Sequence, residues 1–223
     1  MTIDETISFL KQKSNAKHHA GMKRFGIDNQ SALGIPLPEL RKIAKEIKTN
    51  HDLALTLWKI NIHEAKLLAS MIADPKQFTE QQADEWVHDF YSWDICDQVC
   101  GNLLYRTNFA LNKALEYTNC TEEFIKRAGF VLMAEFAIHN KKDPDDAFWA
   151  FFPIMEREAW DDRNFVKKAI NWALRQIGKR NNTLRTHAVE TAQRILLQNT
   201  KSARWIASDA LNELSGKPLI ING

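Results

Sequence analysis

Cysteine is scarce, with three in 223 residues. An odd, small count excludes a disulfide framework and points to a reducing compartment, so a cytoplasmic protein is expected. Cys96 and Cys100 stand four apart but have no second Cys or His pair at zinc-ligand spacing, and Cys120 is alone. His18, His19, His51, His63, His88, His139 and His187 form no motif, and C-x-x-C is absent. No metal site is expected, and the thiols read as packing groups. Long apolar runs are missing too. Nothing approaches the roughly 20 residues of a membrane helix, and MTIDETISFLKQK places acids where a signal peptide has none. No glycine-rich phosphate loop is present. The 8 glycines and 6 prolines fall mostly between periodic segments.

Acid is nearly absent from one region. Arg163 to Arg204 holds ten Lys or Arg and one acid, Glu190, whereas the rest of the chain has 20 basic and 27 acidic residues. The overall charge of +2 hides a basic C-terminal third on an acidic remainder. Such a stretch suits a polyanion.

What is present is helical. Hydrophobic residues are 44% of the chain, enough for a core. In PLPELRKIAKEI, residues 36–47, Leu40, Ile43, Ala44 and Ile47 recur at the helical spacing, with Pro36 and Pro38 marking the start. Thr79 and Ser92 read as N-caps, and Asp143-Pro144 as the N-cap and first position of another helix. About a dozen helices joined by short linkers are expected, as antiparallel pairs with no strand. EFIKRAGFVLMA (123–134) resembles NFVKKAINWALR (164–175) at an offset of 41, and Trp205 follows Phe165 by 40. A period near 40 predicts an all-α, right-handed α-solenoid of HEAT-like pairs, one domain over 1–223. Its second helices, 124–138, 165–178 and a counterpart near 93–105, are expected to line a concave basic groove.

Two constellations carry chemistry. In SWDICDQVC (92–100), Asp94 falls in the first helical turn, where an acid complements the helix dipole. Asp97 lies a turn later on the face of Trp93, and capping does not explain it. A tie to Arg127 and a catalytic carboxylate both fit. Trp172 sits among Lys167, Lys168, Arg175, Lys179 and Arg180. Cations for phosphates around an indole for a base or sugar fit a nucleic-acid groove, and a core tryptophan beneath solvated lysines fits equally well.

Trp-Asp-x-x-Asp at 93–97, Lys-Arg-Ala at 126–128, FVKKAINWALRQIGKRN at 165–181, GIPLPELRKIAKEI and HEAKLLASMIA together resemble the AlkD-type DNA alkylation repair family, over about residues 20 to 214. The resemblance implies a HEAT-like DNA glycosylase fold and excision of positively charged N-alkylated purines, of the 3-methyladenine and 7-methylguanine type, from duplex DNA. It places the catalytic carboxylate on Asp97, the cleft tryptophans on Trp93 and Trp172, and the phosphate-contacting arginine on Arg127. DNA contacts are expected from Lys126, Lys167, Lys168, Arg175, Lys179 and Arg180. The family often has Trp where this chain has Phe124, and Arg where it has Lys126. The expectation is a monofunctional, metal-independent, cofactor-free N-glycosylase. It would be a cytoplasmic monomer, nucleoid-associated when bound to damaged double-stranded DNA. A non-catalytic module that binds DNA or an acidic protein partner is the alternative.

Overall fold

The computed structural model describes residues 1–216. Thirteen α-helices and no strand are found among them, and no helix is long and apolar enough to cross a membrane. Contacts divide the expected single domain into two compact units, one of residues Met1–Phe109 and one beginning at Ala110.

The N-terminal unit holds α1 (Ile3–Gln12), α2 (Ala16–Met22), α3 (Leu37–Ile47), α4 (His51–Trp58), α5 (His63–Ile72), α6 (Glu80–His88) and α7 (Trp93–Asn102). Local chemistry sets their starts. Thr2 with Glu5, and Thr79 with Gln82, close reciprocal capping boxes, and Asn15 and Asn50 accept an amide from the first turns of α2 and α4. Pro36 precedes α3 and Pro38 lies in its first turn, as the sequence predicts. Helix α5 packs against α3, α4 and α7, burying Leu40, Leu57, Leu68, Ile72 and Ile95. Cys96 and Cys100 are fully buried in this core.

The C-terminal unit holds α8 (Ala110–Tyr117), α9 (Glu123–His139), α10 (Phe151–Glu158), α11 (Asn164–Gly178), α12 (Asn182–Leu197) and α13 (Lys201–Ser215). Helix α9 is buried nearly all round, consistent with its continuous apolar run. Gly129 permits the close approach of α8, since a Cβ there would stand 2.7 Å from Thr118. The repeat near 40 is visible as packing: α11 lies against both α9 and α13. The equivalent rings of Phe124 and Phe165 touch, with centroids 5.5 Å apart. One expected start is corrected. Asp143-Pro144 opens no α-helix. Asp143 takes a hydrogen bond from Asn140 instead of capping, Pro144 precedes a single 3-10 turn (Asp145–Phe148), and α10 begins at Phe151.

Candidate nucleic-acid interface

The two carboxylates of α7 have different fates. Ser92 occupies the N-cap position, but its hydroxyl caps no amide and donates instead to Asp94. The other Asp94 oxygen accepts from His63 Nε2 at 2.8 Å. His63 Nδ1 is 3.0 Å from the Tyr91 hydroxyl, which reaches Ser31 at 3.2 Å. Asp94 is therefore a buried structural acid, not a solvated helix-start acid. Asp97 is half-buried one turn on, and the half-buried Trp93 donates its indole N–H to the Phe25 carbonyl at 2.8 Å. His63 and Tyr91 were not singled out as site residues from the sequence. The signal was there: a histidine opening an otherwise apolar helix needs a buried partner.

Burial would raise the Asp94 carboxyl, but the hydrogen bond and charge from His63, with hydrogen bonds from Ser92 and the Ile95 amide, hold it below its ordinary value. A lowered folded value stabilises the protein above about pH 4, and that contribution is lost as pH falls through it. Asp94→Asn is expected to cost about 1–2 kcal/mol at neutral pH. The gap from the wild type should close below about pH 4. Urea denaturation across pH checks this, and a gap constant down to pH ~3 contradicts it.

In the C-terminal unit, the cations of the expected DNA surface divide into two groups. Lys126 is only 6% exposed, and its ammonium lies 2.7 Å from Glu158 and 3.6 Å from Asp161. Lys126, expected from the sequence to meet DNA, is thus placed with its ammonium beside two carboxylates, as the burial of α9 demands. Arg180 is turned inward as well. It donates to the carbonyls of Ala137, Asn140 and Asp143, capping the end of α9. Arg175 is ion-paired to Glu213 and lies 3.5 Å from Asp209, and Lys179 lies 2.9 Å from Glu213. These acids stand on α13, beyond the acid-poor window, so the sequence count overstated the open charge. Arg127 is buried and donates to the Phe165 carbonyl at 2.5 Å, which fixes its guanidinium against α11.

The second group faces solvent. Lys168, Lys201 and Arg204 are exposed and Lys167 is half-buried. Lys167 lies 5.8 Å from the ring of Trp205, which is 40% exposed. Trp172 is half-buried on the same helix as Lys167. With the Gln176 amide oriented to satisfy its neighbours, its oxygen accepts from the Trp172 indole at 3.0 Å and from Lys179 at 3.1 Å. Trp205 appeared in the sequence only as part of the repeat. Its exposure beside Lys167 makes it an additional candidate stacking surface.

Comparison with known proteins agrees with the fold. No curated protein matches the chain. A solved structure, described as "a new family of proteins related to the HEAT-like repeat DNA glycosylases with affinity for branched DNA structures", matches with a TM-score of 0.77 and 22% identity, covering 95% of this chain and 94% of that one. The all-helical HEAT-like fold is thereby established. Residues 6–214 match the model for DNA alkylation repair enzymes, bearing out the resemblance seen in the motifs, and the chain belongs to that family.

Proposed function

We propose that the protein is a monofunctional DNA N-glycosylase that releases cationic N-alkylated purines from duplex DNA. The observation that carries this reading is the placement of Asp97, half-buried on α7 on the same helix face as the half-buried Trp93. An N3- or N7-alkylated purine already carries positive charge. As the C1′–N bond breaks, its electrons neutralise the base, so no strong general acid is needed. Positive charge then develops on the deoxyribose, and a fixed carboxylate stabilises it. Asp97 has this role. It also orients the water that attacks C1′ and receives its proton. The π face of Trp93 favours a cationic nucleotide by about 0.5–2 kcal/mol.

Chromatography of bases released from methylated duplex DNA tests the proposal. Release of 3-methyladenine or 7-methylguanine supports it, and no release with DNA still bound overturns it. That second result would favour a binding-only module, a reading supported by the similarity to a structure described as having affinity for branched DNA structures.

Duplex contact is assigned to the solvent-facing Lys168, Lys201 and Arg204 and the half-buried Lys167, with Trp205. Lys167→Gln with Lys168→Gln is expected to reduce the slope of log affinity against log salt by about 2, if each neutralises one phosphate. Fluorescence anisotropy at several salt concentrations reads this. An unchanged slope removes both lysines from the interface.

A further inference from the structure

A cavity of about 330 Å³ opens within the N-terminal unit, lined by Met22, Phe25, Ile27, Pro36, Leu67 and Trp93. It shares Met22 and Phe25 with an adjoining cavity of about 380 Å³ that Lys17 and Gly21 border. Both are in the size range of small-molecule sites, about 300–1,000 Å³. Four ionisable residues also line the first cavity, His18, His63, Glu64 and Asp94, and the last three turn their polar atoms elsewhere. The Glu64 carboxylate accepts from the amides of Leu33, Gly34 and Ile35, and His63 and Asp94 bond to each other, Tyr91 and Ser92. A ligand here meets mainly apolar and aromatic surface, together with the exposed His18, which lines both cavities.

The surroundings are cationic. Residues 11–24 contain Lys11, Lys13, Lys17, Lys23 and Arg24 and no acid. Lys17, Lys23 and Arg24 are exposed and make no ion pair among the described residues. Phe25, next in the chain, is 70% exposed, and its carbonyl anchors the Trp93 indole. An aromatic, apolar cavity beside unpaired cations is complementary to a flat ring carried on a phosphate backbone.

We propose that these two adjoining cavities together receive one unpaired nucleobase of a DNA strand, against Phe25 and Trp93, while Lys17, Lys23 and Arg24 take the flanking phosphates. The inference rests on the DNA-binding part of the function proposed above and shares Trp93 with it, and its test reads binding and not excision. Because the lining is mainly apolar and aromatic, stacking dominates over base-edge recognition, and the pocket accepts purines and pyrimidines alike. Its energetic role is to favour DNA in which a base has left the stack.

Gly21 provides the test. It borders the second of these cavities, and a Cβ built there meets nothing within 4 Å, so a side chain can start into that space. Gly21→Leu also replaces a poor helix former inside α2. The probes are a duplex with one unpaired 2-aminopurine and the same duplex fully paired, titrated by anisotropy and by 2-aminopurine fluorescence. The wild type is expected to bind the unpaired duplex on the order of 10-fold more tightly and to quench its fluorescence. Gly21→Leu is expected to keep its melting temperature and its affinity for the paired duplex, and to lose the preference and the quenching. Replacing Lys17, Lys23 and Arg24 with Gln should weaken binding of the unpaired duplex. Equal binding of the two duplexes by the wild type, or a preference that survives Gly21→Leu, overturns the pocket and leaves duplex binding standing. Failure to bind either duplex overturns the pocket together with the DNA-binding reading beneath it.

Discussion

Asp97→Asn is expected to lower the rate of alkylpurine release on the order of 10²- to 10³-fold, about 3–4 kcal/mol of barrier, while affinity for duplex DNA stays the same or rises. The asymmetry follows from the chemistry. A carboxylate near phosphates repels them in the ground state and attracts the deoxyribose only as positive charge develops there. Removing it therefore touches the transition state far more than the bound complex. The amide keeps the size and shape of the side chain, so folding should be preserved, which circular dichroism can verify. Single-turnover release from methylated duplex, with anisotropy on the same DNA, separates the two effects. A variant that excises at the wild-type rate would remove Asp97 from the mechanism. A variant that loses binding and excision in parallel would make Asp97 a structural residue.

Much of this was legible in the chain and some was not, for identifiable reasons. Helix positions followed from periodicity and capping residues, because those signals act within one or two turns. The repeat offset of 41 gave the packing of α9 on α11, and even the touching rings of Phe124 and Phe165. What the local sequence does not show is where each charge finds its partner. Lys126 and Arg180 look like open cations in a linear reading, yet their partners stand 32 to 43 residues away, on α10 and at the end of α9. Arg175 and Lys179 find Glu213 34 to 38 residues downstream. In a helix stack the neighbour across a groove is about one repeat distant, so counting charges in a local window misses the counter-ion. The same distance hid His63 from Asp94, 31 residues apart. The Asp143-Pro144 start was misread because Asn140 competes for the carboxylate that would have capped it.

Glu64→Gln is expected to be the most destabilising conservative change in the N-terminal unit, costing about 3 kcal/mol and lowering the melting temperature by ~10 °C. Glu64 is 1% exposed, in the first turn of α5, where a negative charge also complements the helix dipole. Its Oε2 accepts from Leu33 at 2.7 Å, and its Oε1 accepts from Gly34 at 2.6 Å and Ile35 at 3.1 Å. Gly34 has φ +77°, and a Cβ there would stand 2.4 Å from the Asn15 carbonyl, so the segment has no easy alternative course. A glutamine retains one acceptor oxygen and turns an NH2 toward amide donors, leaving at least one buried N–H unpaired. The loss should appear first as local opening, because the clamped segment runs into Ile35 and Pro36, which line the cavity. Hydrogen exchange at Leu33, Gly34 and Ile35 is therefore expected to accelerate in Glu64→Gln well before the unit melts, and preference for an unpaired base to fall with it. A melting temperature within about 2 °C of the wild type, with unchanged exchange at these three amides, would show that the carboxylate does not hold the segment.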